Sequence, residues 1–334
     1  MREKPPIIWI EADRPPARYF LNSINIHQDL FPARRKIVVT NSKFVGKYRK
    51  SQVDIIEIES IKPSNLTNKF ESISKKWTHN KQQLIYWKNT TKRFFYLYDA
   101  LLKLEISKSI HSEGDNILLD LNFFDSLAKK NMSKIAYPKQ SSGVGCASVL
   151  YVDSLNALKE FLRFINLNWK RGDITDMGLL GEFAEKGKNA EYLNSDLNNL
   201  TKSKSIFDPV IIGRYFLGND SRNFRFPSSK RGIIDSATES FDPSYCLLTK
   251  DRERGVVLEN FVNGQSLKIA NVHIHSKRIP NKYSKLENMM LAESNCNRSK
   301  TWKLGKIDFL VLIERTINYL MRNLGHTKNE IRFR

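Results

Sequence analysis

Short apolar runs set between longer stretches of helical periodicity constrain the N-terminal half of this chain more than any other feature. Ile7 to Glu11, Lys36 to Thr40 and Val53 to Glu57 each read as a strand, as do the residues leading into and out of Glu113 to Asp115 and the run Ala147 to Tyr151. Strands separated by helix-length segments are joined by crossovers, which implies an α/β sheet flanked by helices. Tyr86 to Lys103 reads as one such helix, with Phe94, Phe95 and Tyr98 at near-helical spacing and therefore in a core. Another follows Asp153 or Ser154, either of which can cap it, and carries Leu155, Leu158, Leu162 and Ile165 on one face. Residues 186–205 are polar and rich in Asn and Lys, which reads as a mobile connection. From Phe207 the pattern is irregular until Ile269 to His275 again reads as a strand. Near the end, Phe309, Leu310, Ile313, Ile317, Leu320, Met321 and Leu324 mark an amphipathic helix stopping at Gly325. The expected organisation is one domain over 1–290 and a terminal helix over 303–330 packed on it.

A chain of 334 residues, 40% hydrophobic and 27% charged, is large enough for a substantial core and is not disordered as a whole. Cys146, Cys246 and Cys296 are far apart and odd in number, which suits neither a zinc site nor a disulfide framework and implies a reducing compartment. The opening apolar run, Ile7 to Ile10, is too short for a signal peptide, and nothing approaches the roughly 18 apolar residues of a spanning helix. A cytoplasmic protein is expected, with peripheral membrane contact its nearest approach to a bilayer. The net charge of +20 selects anionic partners: nucleotides, lipid-linked diphosphates, headgroups or nucleic acid. That charge is scattered, and a bias of composition toward Lys and Asn explains it equally well. No basic patch interleaved with aromatics occurs, so nucleic acid is not an expected partner.

Glu113 and Asp115 flank Gly114 at what reads as a strand end. An acid, a small residue and an acid also occur in ordinary exposed turns. Oxygen ligands at this spacing suit Mg²⁺ or Mn²⁺, which complete their shells with substrate phosphates and water when the protein supplies few ligands.

Four segments, one of them holding the acid pair, follow one another along the chain: WKNTTKRFF at Trp87 to Phe95, HSEGDN at His111 to Asn116, TDMGLL at Thr175 to Leu180, and NVHIHSK at Asn271 to Lys277. Their types and order resemble a family of nucleotide-sugar-dependent glycosyltransferases of the GT-A fold, found in surface-polysaccharide loci and some viruses. The family's run is TTxRFF, HxExDN, DMxLL and NLHIHSK. The opening stretch, Ile7 to Asn41, is also similar to the family's first strand and nucleotide-side loop, and the likeness extends to about Tyr283. The fold it implies is a GT-A-like, Rossmann-type mixed sheet flanked by helices.

The resemblance implies a metal-dependent transferase that moves a sugar from a nucleotide-diphosphate donor to a hydroxyl of a glycan, lipid-linked or protein-linked acceptor. Glu113 and Asp115 would hold Mn²⁺ or Mg²⁺, which offsets charge on the departing diphosphate. His273 and His275 alternate on one face of a strand, with Val272 and Ile274 on the other, and one of them would complete the metal shell. Histidines on a half-buried strand that bond to backbone are the plainer reading. Lys277, on the same face, would reach the diphosphate. Asp176 is either a helix N-cap or the base that takes the acceptor proton, with Glu182 as its substitute. Thr90, Thr91 and Arg93 would contact phosphates from a helix start, unless Arg93 is an ordinary surface charge. Asn116, Asp208 and Asp220 are candidate sugar contacts. Pro209, Arg214 and Phe216 depart from the family's FDGxAxGQYLGG pattern, which opens a second reading as a catalytically inactive nucleotide-sugar-binding relative. A nucleotidyltransferase and a basic nucleic-acid-binding protein are the competing classes.

Overall fold

The computed structural model of the chain describes residues 4–75, 81–169, 175–187, 189–197, 205–218, 241–260 and 264–297. It is built on two sheets. The first runs in the order β3 (Asp54–Glu57), β2 (Lys36–Thr40), β1 (Ile7–Glu11), β4 (Ser109–Ser112), β8 (Val149–Val152), β6 (Ile135–Ser141) and β7 (Val144–Gly145), with β9 (Ala190–Leu193) paired to β6. β3, β2, β1 and β4 are parallel, whereas β8 is antiparallel to both β4 and β6, so the sheet is mixed.

Both faces of this sheet are covered, which explains why its central strands read as unbroken apolar runs. Ile8, Ile37 and Val39 pack with Phe94, Phe95 and Leu97 of α3 (Lys81–Lys103), Phe161 and Leu162 of α5 (Leu155–Asn168), and Leu179 and Leu180 of α6 (Asp176–Lys186). Ile7, Trp9 and Val38 point the other way, onto Phe20 and Ile24 of α1 (Arg18–Leu30) and Phe124 of α4 (Asn122–Lys130). α5 begins where Ser154 accepts a hydrogen bond from the Asn156 N–H, which decides between the two possible caps.

The second sheet orders β10 (Ser205–Phe207), β13 (Gln265–His273), β12 (Gly255–Asn260) and β11 (Cys246–Asp251), and β5 (Asn116–Leu118) joins it by pairing antiparallel with the end of β13. Its core gathers Ile117, Leu258, Ile269 and Val272 with Ile212 and Phe216 of α7 (Ile211–Leu217) and Leu286 and Met290 of α8 (Tyr283–Asn297). α1 is tied to this sheet by a neutral histidine. His27 Nδ1 donates to the Ser23 carbonyl at 2.7 Å, and Nε2 accepts the Leu118 N–H at 3.0 Å. Burial pushes its pKa down to about 4, which keeps the acceptor nitrogen free of a proton.

Three expectations are corrected. The polar connection at 186–205 contains β9, a four-residue edge strand whose apolar residues are interrupted by Glu191 and too few to form a run. The region after Phe207 is not irregular, since it holds α7 and the antiparallel β11–β12–β13 meander. The strand expected at Ile269 to His275 starts earlier and stops at His273. The terminal helix expected over 303–330 lies outside the described residues. Among those residues, no helix is long and apolar enough to cross a membrane.

α7 sits close against the end of β13: a Cβ on Gly213 would lie 1.9 Å from the His273 carbonyl oxygen and 3.2 Å from Asp208 Oδ2. Backbone cannot yield as a flexible side chain can. Gly213→Ala is therefore expected to cost at least about 1–3 kcal/mol, read as a lowered midpoint of chemical unfolding. An unchanged midpoint would show that α7 docks less tightly than this contact requires.

Candidate metal and transfer site

Ser112 closes β4 in the first sheet and Asn116 opens β5 in the second, so Glu113, Gly114 and Asp115 form the passage between the sheets. The passage is pinned at both ends. The Glu113 N–H donates to the Ser148 carbonyl at 2.9 Å, and the Asp115 carbonyl accepts the Ile274 N–H at 2.8 Å. A Cβ on Gly114 would lie 2.7 Å from the Phe20 ring, so glycine is needed here for packing on α1.

The register of β13 places His273 opposite Asn116 and thus beside the acidic turn. A buried polar chain holds that register. Ser112 Oγ accepts from Asn116 Nδ2 at 3.0 Å, Asn116 Oδ1 accepts from Asn271 Nδ2 at 2.6 Å, and Asn271 Oδ1 accepts the Asp208 N–H at 3.0 Å. The Asp208 carboxylate in turn accepts the backbone N–H groups of Ile212, Gly213 and His273 at 2.8–2.9 Å. Asn116 and Asp208, expected to contact a sugar, are fully buried and occupied in this chain of bonds.

Glu113, Asp115 and His273 each offer a ligand atom, and these atoms lie within 4.8 Å of one another. His273 Nε2 is 3.4 Å from Asp115 Oδ2 and 3.5 Å from Glu113 Oε2. Adjacent ligands around an octahedral cation with bonds of about 2.1 Å are separated by ~3 Å, so modest closure suffices for Mg²⁺ or Mn²⁺. Behind the ring, Nδ1 donates to the Pro209 carbonyl at 3.1 Å, the outer contact that aims Nε2 at a metal. The Cys146 thiol donates to the same carbonyl at 2.8 Å. His275 lies beside His273 with ring centroids 4.8 Å apart and the rings tilted by 55°, but it sits in the turn after β13 and not on the strand face.

Two cations bracket the acids. Arg93 bonds through Nη1 to Glu113 and through Nη2 to Asp176 Oδ2 at 2.8 Å. Lys277 pairs with Asp115 and lies 5.5 Å from the Tyr19 ring centroid. It reaches there through a turn in which its own backbone adopts φ +57°, and not by strand alternation. Burial works against the charge on Arg93, but Glu113 and Asp176 outweigh it. Burial likewise opposes ionisation of Glu113, yet Arg93, His273 and Lys277 hold its pKa down at about 2. Asp176 goes the other way: burial raises its pKa against the pull of Arg93, and the Glu113 charge adds to the rise. Lys277 is lowered to about 8, chiefly by burial.

Asp176 is not the cap of α6. Thr175 is, accepting the Gly178 N–H at 3.1 Å, which leaves the Asp176 carboxylate to Arg93. Glu182 is six residues on, about a third of a turn round the helix from Asp176, and pairs with Lys186 at 3.3 Å. The helix start expected near Thr90 is also absent. α3 begins at Lys81, so Thr90, Thr91 and Arg93 lie in mid-helix, where backbone N–H groups are already used. The Thr90 hydroxyl donates to the Trp87 carbonyl at 3.1 Å, and the buried Thr91 hydroxyl has no partner among the described residues. His111 is a neutral tie, its Nδ1 3.1 Å from the Ile8 carbonyl and its pKa pushed down to about 4 by burial. Asp220 lies outside the described residues.

Sequence reasoning missed Glu11, Arg14, Tyr19, Cys146 and Pro209. Glu11 ends β1 and bonds Arg14 at 2.7 Å, and its pKa is raised by burial, against Arg14 and Lys277. The rule that ligands bind beyond the carboxyl ends of strands in open α/β sheets pointed to it. Cys146 and Pro209 carry no local signal.

No family model matches the chain, and no curated protein matches it in sequence. Solved structures with partial likeness include mouse xyloside xylosyltransferase 1 (10% identity, TM-score 0.41, covering 57% of this chain and 85% of that one). Core-mannan synthase A from Aspergillus fumigatus in its Mn/GDP form is 7% identical, with TM-score 0.37 over 56% of this chain and 72% of that one. A cytidylyltransferase from Leptospira borgpetersenii is 13% identical, with TM-score 0.35 over 58% and 77%. At these scores the chemistry has to be read from the residues themselves.

Arg93→Met strands the buried Asp176 and the partly buried Glu113 and is expected to cost ~3 kcal/mol, measured by chemical unfolding. Arg93→Lys, which keeps one pair, is expected to cost less. The cation affinity is also expected to depend on pH. Burial opposes a charge on His273, but the Cys146 thiol beside its ring and the Glu113 carboxylate outweigh it and raise its pKa to about 9. That proton must leave before Nε2 can bind a metal. Mn²⁺ affinity is therefore expected to rise about tenfold per pH unit up to about pH 9, with proton release seen by calorimetry in two buffers. A flat profile would count against His273 as a ligand.

Proposed function

We propose that the chain is a metal-dependent glycosyltransferase that uses a nucleotide-diphosphate sugar and a glycan, lipid-linked or protein-linked acceptor. The observation that carries this reading is the convergence of Glu113, Asp115 and His273 from two sheets into one cluster, with a buried carboxylate, Asp176, joined to it through Arg93. Two carboxylate oxygens and one imidazole nitrogen suit Mn²⁺ or Mg²⁺ and leave positions for phosphate oxygens and water. The bound cation supplies stabilisation of charge on the departing nucleoside diphosphate.

The remaining work falls to the chain's own groups. Arg93 fixes the Glu113 carboxylate from the protein side, so that its outer oxygen faces the cluster. Lys277, on a flexible stem beside Asp115, is the cation able to turn from that carboxylate to a diphosphate. Asp176 is the group to accept the acceptor hydroxyl's proton. Its raised pKa moves it toward the neutral range in which a general base works best. The order of TTKRFF, HSEGDN, DMGLL and NVHIHSK along the chain supports the same assignment, because each block contributes a residue to this one cluster.

The test is a donor screen across common nucleotide sugars with Mn²⁺, reading released nucleoside diphosphate. Asp115→Asn is expected to lower turnover by about 10²-fold or more while leaving the unfolding midpoint near that of the wild type. Asp176→Asn is expected to lower turnover by about 10²–10⁴-fold while nucleoside diphosphate still binds. Release of pyrophosphate from a nucleoside triphosphate would replace this reading with nucleotidyl transfer. Nucleotide-sugar binding without turnover would replace it with an inactive relative.

A further inference from the structure

Tyr86 is one of the few large apolar side chains exposed among the described residues, at 59%. A single exposed aromatic is unremarkable by itself. Its position in α3 sets it apart. Residues four and seven positions apart share a helix face, so Tyr86, Thr90 and Arg93 form one stripe. Arg93 is the residue that holds Glu113 and Asp176, and side chains on a helix lean toward its N-terminus. The stripe therefore runs outward from the reacting groups to the Tyr86 ring, over roughly 10 Å of helix axis. Burial raises the pKa of the Tyr86 hydroxyl and the charges of Glu113 and Asp176 add to the rise, which agrees with the helix-face placement of the ring beside the site. On its inner side the ring meets Trp87 edge-on, with centroids 4.9 Å apart, and Trp87 is packed against the core.

We propose that the outer face of Tyr86 is a stacking platform for a sugar ring of the acceptor, which it holds with one hydroxyl directed at Asp176. The inference rests on the transferase reading given above. Its chemistry is that of carbohydrate recognition in general. A pyranose presents weakly positive C–H groups on its faces and hydroxyls at its edge, and it matches an aromatic face of negative quadrupole next to carboxylates. A nucleotide base also stacks on aromatics, but it belongs with the diphosphate beside Lys277 and the acid cluster. The stripe on α3 starts from Arg93, which reaches Asp176, the proton-accepting side, as well as Glu113. Unchanged nucleoside diphosphate affinity in Tyr86 variants is therefore what separates a sugar from a base. An apolar peptide or lipid chain would find exposed Ile85 beside the ring, but the stripe leading to the acids carries the exposed Asn89 and the half-buried Thr90 and Arg93, a polar surround that suits hydroxyls better.

The experiment is saturation-transfer NMR with methyl glycosides of glucose, galactose, mannose, xylose and N-acetylglucosamine. It is run on the full chain with Mn²⁺ and with uridine or guanosine diphosphate, whichever calorimetry shows to bind. Wild type is expected to transfer saturation to the face C–H protons of at least one glycoside. Tyr86→Ala is expected to weaken that glycoside's binding about tenfold or more, and Tyr86→Trp to restore it. Nucleoside diphosphate affinity should be equal in all three, and the exposure of Tyr86 means that the variants should unfold at the wild-type midpoint. Equal glycoside binding by Tyr86→Ala, or no glycoside signal from protein that binds nucleoside diphosphate, overturns the platform alone. Protein that binds no nucleoside diphosphate overturns the transferase reading and the platform with it.

Discussion

The pairing of β5 with the last three residues of β13 is the contact on which the site depends. It is the point where a chain leaving the first sheet is caught by the second. Glu113 and Asp115 belong to the crossing, and His273 ends the strand that receives it. Three-residue pairing is weak on its own, so the register needs other support. That support comes from the chain of side-chain bonds through Ser112, Asn116, Asn271 and Asp208, which are buried to 1% exposure or less. A buried polar network with its partners in place tolerates few alternative arrangements, since any slip leaves polar groups unpaired in a low dielectric. Asp208 closes the network by holding the His273 N–H and the first turn of α7 together.

Around this junction the chain has gathered charges that an apolar interior would reject unless paired. The two main cations are held very differently. Arg93 projects from mid-helix, is gripped at both ends by carboxylates and has a fully buried neighbour in Phe94. Lys277 hangs from a turn by a long stem, with one carboxylate partner and an aromatic ring alongside. A rigid fork with two anchors suits a fixed counter-charge, whereas a single ammonium on a flexible stem suits one that changes partner. Both were expected at the phosphates; the two anchors on Arg93 suit it to the fixed role instead.

β1 and β2 have the bounds expected from their apolar runs, because strands covered on both faces leave an unbroken signal. Glu113, Asp115 and His273 were legible as ligand types, although the geometry that unites them was not. Strand alternation grouped His273, His275 and Lys277, but β13 stops at His273, and Lys277 arrives through a left-handed turn that no two-residue period describes. Thr175 took the cap that Asp176 was one candidate for, which a Thr-Asp pair before an apolar run leaves open. Arg93 bridging residues 113 and 176, and Cys146 meeting Pro209 behind His273, join segments far apart in sequence. Such contacts follow from topology, and the β11–β12 meander and edge strand β9 that complete it had no periodicity strong enough to register.

The shared guanidinium also imposes an order on the charges. Glu113 raises the pKa of Asp176, and Arg93 lowers it. Neutralising Glu113 removes the first effect and leaves Arg93 with a single uncompensated partner, so both changes drive Asp176 toward its ionised form. In the transferase reading, the event that neutralises Glu113 is arrival of the donor with its cation. In that reading the carboxylate that takes the acceptor proton is more readily ionised when a donor is present to react. A single arginine held between two acids would then link the donor half of the site to the acceptor half.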